Sequence, residues 1–314
     1  MPQKNGNIAI AIVCSDWHLS ISPPVWRSAE KDWFSAMERP LKEICNLSEK
    51  LECPIICAGD VFDRWNSPPE LINWIIQFFN NRRNRPTIYA IPGQHDMPLH
   101  NMKKLKKSAY YTLILSGIIQ PLSSIPLEIK SNVKITGFGY GKKITKPHNT
   151  DCVNISVIHE YNWIDGKGYK DAENKSKIGK HRKELLQYNT VIIGDNHKGF
   201  FTKINKTNIF NCGSLMRLHS DQKDYKPRIG ILNENGKVDP YYLNISEDLF
   251  LETEIKHKED TEETEKSLIR FFSEMKKLGH STLDFVQALK YRIEKEDVTK
   301  PVKKIIQKII EESA

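Results

Sequence analysis

The stretch Ile-Ala-Ile-Ala-Ile-Val-Cys-Ser-Asp-Trp-His, residues 8–18, runs from an apolar segment directly into polar side chains of the kind that bind metals. Residues 8–13 are apolar and largely β-branched, which predicts a buried strand. Asp16 and His18 follow that strand, and a loop at its end can turn both side chains toward one ion. A single Asp-x-His pair is more typical of an ordinary turn, so its meaning depends on the rest of the chain.

The same arrangement of a short apolar strand followed by polar side chains recurs at four later positions. The predicted strands cover residues 54–58, 87–91, 153–158 and 191–193. The polar side chains that follow them are Asp60 and Asp63, then Gln94, His95 and Asp96, then His159 and Glu160, then Asp195 and His197. Because the carboxyl ends of strands in an open α/β sheet form the crevice where ligands bind, these residues are expected to converge.

Helical patterns lie between the early strands, and more strands follow. Apolar residues from Trp33 to Leu47 share one face of a first predicted helix, and a second helix begins at Pro68-Pro69. After about Gly137 the chain becomes richer in strands, which are predicted at residues 201–204, 207–210 and 228–232. The predicted fold class is therefore α/β, with helices packed on stacked sheets.

The composition changes near residue 246, where a charged segment leads into apolar residues at helical spacing. We predict a catalytic domain over residues 1–245 and a small helical C-terminal extension over residues 246–314. The last apolar stripe, between Val302 and Ile310, is typical of a helix that docks in a groove or on a coiled coil. The same stripe would also suit packing on the chain's own domain or a homodimer.

The composition places limits on the class of protein. No stretch of about 18 apolar residues is present, and the first apolar run is too short for a signal peptide, so a soluble cytoplasmic protein is expected. The six cysteines form no Cys-x-x-Cys pair, which is typical of a reducing compartment. A formal net charge of +8 permits a polyanionic partner such as DNA but does not require one.

The ordered series of motifs resembles the calcineurin-like metallophosphoesterase superfamily over roughly the first 245 residues. Within that superfamily, three segments look like SbcD-type DNA repair nucleases, including those of bacteriophages, whose location would be the host cytoplasm. These segments are Pro92-Gly-Gln-His-Asp96, Ile158-His-Glu160 and Asn211-Cys-Gly-Ser-Leu215. The resemblance implies a sandwich of two stacked mixed sheets flanked by helices, and a metal-dependent DNA nuclease that partners an SbcC-like ABC-type ATPase with a long coiled coil.

The resemblance also implies a role for individual residues. One metal ion would be held by Asp16, His18, Asp60 and His197. A second would be held by Asp60, Gln94, His159 and Asp195, so that Asp60 bridges the two ions. His95 would be the general acid that protonates the leaving oxygen, and the carboxylate of Asp63 would orient it.

Two of these positions depart from the family pattern. Gln94 stands where the family usually has Asn, and Asp195 stands where it usually has His. Both retain a donor atom, and the resulting oxygen-rich site is expected to favour Mn²⁺, with Mg²⁺ as the alternative, over Zn²⁺. The same departures are consistent with a weak second site and with a scaffold that does not catalyse.

Other phosphoesterase activities compete with the nuclease interpretation. Arg64 after Asp63 is similar to an element of serine/threonine protein phosphatases, but Gln-His-Asp replaces their Asn-His-Glu and a further phosphate-binding arginine is not evident. A nucleotide or cyclic-nucleotide phosphodiesterase would use the same metal ligands. The run of lysines between Lys103 and Lys107 could reach DNA phosphates, although a lysine-rich helix face is commonly just solvated.

Overall fold

A computed structural model describes residues 8–147, 151–170 and 172–251 of the protein. Most of the predicted C-terminal extension, from residue 252 onward, lies outside the described residues. The division of the chain at residue 245 therefore stays a prediction. Residues 246–251 contact the start of the chain, since Asp248 accepts hydrogen bonds from Arg27 at 2.9 Å and Arg39 at 3.2 Å.

The first of two sheets contains five strands that run in one direction and one strand that runs in the opposite direction. Numbered along the chain, they are β1 (Ala9–Cys14), β2 (Ile55–Cys57), β3 (Ile88–Ala90), β4 (Ile119–Pro121), β11 (Arg228–Asn233) and β12 (Val238–Tyr242). Their order across the sheet is β12-β11-β1-β2-β3-β4. The strands β1 to β4 run parallel, while β11 is antiparallel to both of its neighbours. The carboxyl ends of β1, β2 and β3 therefore meet at one edge.

The second sheet has the same mixed character. Its strands are β5 (Leu127–Lys130), β6 (Val133–Phe138), β7 (Val153–His159), β8 (Thr190–Gly194), β9 (Phe200–Ile204) and β10 (Thr207–Asn211). They are ordered β5-β6-β7-β8-β10-β9. The central strands β6, β7, β8 and β10 are parallel, and the edge strands β5 and β9 are antiparallel to them.

Helices cover the outer face of the first sheet. They are α1 (Trp33–Leu51), α2 (Pro69–Asn80) and α3 (Ala109–Leu115). Asp32 caps the start of α1 by accepting a hydrogen bond from the backbone N–H of Ser35. Short 3-10 helices occupy several loops, at Val25–Arg27, Pro98–His100, Met102–Lys107, Asn174–Ser176, Lys183–Gln187 and Ser220–Gln222.

The alternation of side chains in β1 shows how the layers pack. Ile12 and Cys14 belong to the apolar cluster that the helices share with the first sheet. Ala11 and Val13 belong to a second cluster, in which the two sheets face each other. Because both faces of this strand are buried, its sequence is a continuous apolar run rather than an alternating one.

The predicted sandwich of two mixed sheets flanked by helices is confirmed. The sequence did not predict β4, β5, β12 or α3. The strand β5 is only partly buried, and β12 contains Pro240, so neither carries the apolar pattern of a central strand. None of the helices in the described part of the chain is both long and apolar enough to cross a bilayer.

Candidate metal centre

The loops after β1 and β8 bring three predicted ligands together. The Nε2 atoms of His18 and His197 lie 3.0 Å apart. Oδ1 of Asp16 lies 3.9 Å from the first and 3.7 Å from the second. Burial lowers the pKa of His18 well below its usual value and that of His197 to about 4, so both imidazoles are neutral at pH 7. Neutral imidazoles and a carboxylate at this spacing can hold one cation.

A second group of donors adjoins the first. Asp60 and His159 are fully buried, and Oδ2 of Asp60 lies 3.2 Å from Nε2 of His159. Neither atom has a hydrogen-bond partner among the described residues. Nδ1 of His159 faces the backbone carbonyl of Ala58 at 2.5 Å, so Nδ1 carries a proton and Nε2 is the atom available to a ligand.

The two positions that depart from the family pattern both lie at this second group. Nε2 of Gln94 donates a hydrogen bond to Oδ1 of Asp195 at 2.8 Å. This leaves Oε1 of Gln94 buried and without a partner in the described part of the chain. The buried unpartnered atoms of Gln94, Asp60 and His159 thus comprise two oxygens and one nitrogen, a donor set that fits a divalent cation.

Asp60 lies between the two groups. Its Oδ2 is 3.8 Å from Nε2 of His18 in the first group and 3.2 Å from Nε2 of His159 in the second. Its Oδ1 accepts a hydrogen bond from the backbone N–H of His95 at 2.9 Å, which fixes the carboxylate. Asp60 could therefore contribute a ligand atom to an ion at either group.

His95 sits beside the first group, but its partner differs from the one that the sequence predicted. The ring of His95 lies 5.1 Å from that of His18 in an edge-to-face arrangement. Its Nδ1 faces the backbone carbonyl of Asp63 at 2.8 Å. The carboxylate of Asp63 has other neighbours, with Oδ1 4.0 Å from Nδ1 of His18 and Oδ2 3.6 Å from Nε of Arg64.

Residues 11–197 match the family of calcineurin-like phosphoesterases, and this span contains every ligand described above. The chain belongs to the calcineurin-like phosphoesterase family. Members of this family are metal-dependent hydrolases, and the two donor groups of this phosphoesterase suit divalent ions. No curated protein sequence matches the chain significantly.

Several solved structures resemble this phosphoesterase at low sequence identity. An archaeal phosphodiesterase is 14% identical, with a TM-score of 0.38 over 74% of this chain and 99% of that chain. The protein TT1561 of Thermus thermophilus is 9% identical, with a TM-score of 0.44 over 76% of this chain and 100% of that chain. The sulfate thiohydrolase SoxB of Thermus thermophilus is 8% identical, with a TM-score of 0.43 over 80% and 59%. The family assignment rests on the match over residues 11–197.

The pKa values of several side chains in the centre are raised when no metal is bound. Burial and the charge of Asp60 together raise the pKa of Asp16 to about 8, against the opposing attraction of His159. Burial also raises the pKa of Asp195. Burial would lower the pKa of His159, but the carboxylates of Asp60, Asp16 and Asp195 together raise it well above its usual value. A bound cation would reduce the repulsion among these carboxylates and would take the place of the proton on the imidazole.

The backbone at the ligands is itself unusual. Asp16, His18, Asp60 and Asp195 all adopt positive φ angles, of 51°, 45°, 52° and 80°. Residues other than glycine rarely adopt this conformation, and such strain is concentrated at functional sites. Gly59, with φ of +98°, makes room for His159, since a Cβ atom there would collide with its ring.

Asp96 has a structural role that sequence reasoning did not assign. Its buried carboxylate accepts hydrogen bonds from the backbone N–H groups of Gly93 at 2.9 Å, Phe62 at 3.1 Å and Val61 at 3.3 Å. It therefore joins the loop that carries Asp60 to the loop that carries His95. Its place in the run Gln-His-Asp was the available signal, but the sequence alone does not separate a ligand from a residue that holds loops.

His219 is a second residue that sequence reasoning missed. Its ring stacks on that of His197, with centroids 5.9 Å apart and an interplanar angle of 11°. It follows no predicted strand and lies far from the ligand motifs in sequence, so no pattern identified it. His219 therefore packs against the imidazole that His197 contributes to the first donor group.

Proposed function

We propose that this phosphoesterase is a Mn²⁺-dependent nuclease that hydrolyses phosphodiester bonds of DNA. The observation that carries the proposal is the position of Asp60 between His18 and His159, with His95 beside them. When bound, two divalent ions would supply Lewis-acid activation of the phosphate and of water. The residues of the chain hold those ions, fix their spacing and provide the acid.

His95 supports the proposal as the proton donor. A carbonyl oxygen can only accept, so the contact with the backbone of Asp63 places a proton on Nδ1 of His95. Nε2 is then the atom that can deliver a proton to the leaving oxygen of the substrate. A positioned acid of this kind typically contributes about 10²–10⁴-fold to the rate.

Basic side chains near His95 support a polyanionic substrate. The 3-10 helix Met102–Lys107 follows the His95 loop, and its side chains Lys103, Lys106 and Lys107 are exposed. Arg64, next to Asp63, is 82% exposed. Exposed cations close in sequence to His95 and Asp63 could contact the phosphates of an extended nucleic acid and release counterions.

The metal and the protein partner are further parts of the proposal. Manganese follows from the oxygen donors of Gln94 and Asp195 at the second group, since oxygen ligands suit harder cations. An SbcC-like ABC-type ATPase with a coiled coil, in a double-strand-break repair complex, follows from the sequence resemblance and from the apolar stripe between Val302 and Ile310.

Hydrolysis of linear duplex DNA and of bis-p-nitrophenyl phosphate, with Mn²⁺ or with EDTA, tests the activity. We expect the wild type to degrade DNA with Mn²⁺ alone, and His95→Ala to lose that activity while it retains the metal. Turnover of the small ester without DNA cleavage would instead assign a nucleotide phosphodiesterase. Absence of turnover with both substrates would contradict the proposal for the isolated chain and favour a scaffold.

A further inference from the structure

Two tyrosines form an aromatic pair on the loop that follows β7. The rings of Tyr161 and Tyr169 lie 5.8 Å apart at an interplanar angle of 29°. The backbone N–H of Tyr169 donates a hydrogen bond to the hydroxyl of Tyr161 at 2.8 Å, which closes the loop around the pair. At this centroid separation the rings are offset rather than directly face to face. Tyr169 is 41% exposed.

Hydrogen bonds attach this loop to the metal centre. Asn196, between the predicted ligands Asp195 and His197, donates through Nδ2 to the backbone carbonyls of Asn162 at 2.9 Å and Lys167 at 3.1 Å. The loop that carries the tyrosines and the loop that carries two ligands therefore form one connected surface.

A cation completes the cluster. Nζ of Lys198 lies 4.5 Å from the centroid of the Tyr169 ring and donates a hydrogen bond to the backbone carbonyl of Gly168 at 3.0 Å. Lys198 directly follows the ligand His197. The ammonium group thus lies over the Tyr169 ring and is anchored to the loop that carries this tyrosine.

The electrostatics of Tyr169 agree with a pair that faces the centre. Burial, together with the charges of Asp221, Asp16 and Asp195, raises the pKa of Tyr169 to about 12. Hydrogen bonds of Asn196 and Lys198 join the loop of the aromatic pair to the loop that carries Asp195 and His197, so the pair adjoins the candidate metal centre.

We propose that the pair Tyr161–Tyr169 is a nucleobase platform, on which a base of the substrate stacks next to the phosphate that is cleaved. Aromatic rings bind bases through their π faces, and this binding tolerates different bases because every base has such a face. Lys198 lies over the ring of Tyr169 and directly follows His197, so the platform would adjoin the loop of two predicted ligands. Tyr169 is 41% exposed, so its ring is accessible to a ligand.

This inference rests on one part of the proposed function, namely that the substrate contains a nucleobase. The substrate can be DNA or a nucleotide. Two phosphodiesters with the same leaving group isolate the contribution of the base, namely thymidine 5′-p-nitrophenyl phosphate and methyl p-nitrophenyl phosphate. We expect Tyr169→Leu to lower kcat/KM for the thymidine ester by about tenfold. The same variant should leave the methyl ester unchanged.

Two further variants distinguish the loss of the aromatic ring from a general effect on the structure. Tyr169→Phe retains the ring and should behave as the wild type with both esters. Tyr242→Ala, which removes a 51% exposed tyrosine on β12, is the matched surface control and should change neither rate. An equal loss with both esters in Tyr169→Leu, or no loss with either, would overturn the platform.

A binding measurement decides the question if the wild type hydrolyses neither ester, an outcome that contradicts the proposed function by itself. A single-stranded oligonucleotide that contains 2-aminopurine loses fluorescence when that base stacks on an aromatic ring. With Mg²⁺ present, we expect the wild type and Tyr169→Phe to quench this fluorescence and Tyr169→Leu to quench it much less. Equal quenching by all three proteins would overturn the platform independently of catalysis.

Discussion

Nε2 of His159 lies 3.2 Å from Oδ2 of Asp60, and both residues are fully buried. The Nδ1 proton of His159 is committed to the carbonyl of Ala58, so the Nε2 atom and the carboxylate oxygen face the same space. The carboxylate raises the pKa of His159 well above its usual value, so in the metal-free protein an imidazolium proton lies between the two atoms. A cation that takes the place of that proton could accept both atoms as ligands, and this relationship is the basis of the candidate metal centre.

Metal binding should release protons and become tighter as the pH rises toward 8. The pKa of Asp16 is raised to about 8 by burial, and that of His159 is raised as well. Both groups therefore carry protons at pH 6.5 in the metal-free protein, and both must lose them to bind an ion. Each displaced proton weakens the apparent affinity about tenfold per pH unit below the pKa.

Calorimetry of Mn²⁺ binding at pH 6.5, in two buffers with different ionisation enthalpies, counts the released protons. Asp16→Asn is the control and should release one proton fewer. Binding heats that do not depend on the buffer would contradict the assignment of protons to these ligands.

His95 and Asp63 should differ strongly in their effect on the rate. His95→Ala is expected to lower kcat by about 10²–10⁴-fold, because the leaving oxygen loses its acid. Asp63→Ala should lower kcat by less than about tenfold, because the partner of His95 is the backbone carbonyl at this position, which alanine retains. Steady-state rates with Mn²⁺ content measured on the same samples provide the test. Equal losses in the two variants would show that the carboxylate of Asp63 orients His95 after all.

Restoring the family's histidine should change the metal preference. In Asp195→His an imidazole nitrogen replaces a carboxylate oxygen at the second donor group, so affinity should shift toward Zn²⁺. Competition between Mn²⁺ and Zn²⁺ at fixed total metal should show a ratio displaced by at least about tenfold relative to the wild type. An unchanged ratio would mean that Asp195 does not contact the ion.

Asp96 should matter for stability. Asp96→Ala leaves the N–H groups of Gly93, Phe62 and Val61 without their acceptor, and the free energy of unfolding should fall by about 2–4 kcal/mol. Urea denaturation of the metal-free protein measures this change. Asp165→Ala, which removes an 86% exposed carboxylate, should leave the midpoint unchanged. A midpoint for Asp96→Ala equal to that of the wild type would refute the role of Asp96 in joining the loops.

The sequence predicted the layers and the residues that meet at the strand ends, because each strand is a dense apolar run that stops at a polar pair. It could not predict which group of Asp63 accepts a hydrogen bond from His95, since the choice between the carbonyl and the carboxylate depends on loop geometry. The structure also placed Gln94 against Asp195, a contact between residues 101 positions apart. No local pattern specifies such a contact.

The sequence also did not predict the aromatic pair. Tyr161 and Tyr169 lie in a polar, glycine-containing stretch that resembles an ordinary surface loop. Their relation to the metal centre arises from Asn196, which holds two carbonyls of that loop. Hydrogen bonds from a side chain to backbone carbonyls cannot be recognised from composition or periodicity.

The number of Mn²⁺ ions bound per chain tests the central claim most directly. Metal analysis after equilibrium dialysis, with electron paramagnetic resonance on the same samples, counts the ions and detects magnetic coupling between them. The account predicts two coupled ions in the wild type and loss of the coupled pair in Asp60→Ala, because Asp60 lies between the two donor groups. A wild type that binds one ion or none, or an Asp60→Ala variant that retains the coupled pair, would contradict it.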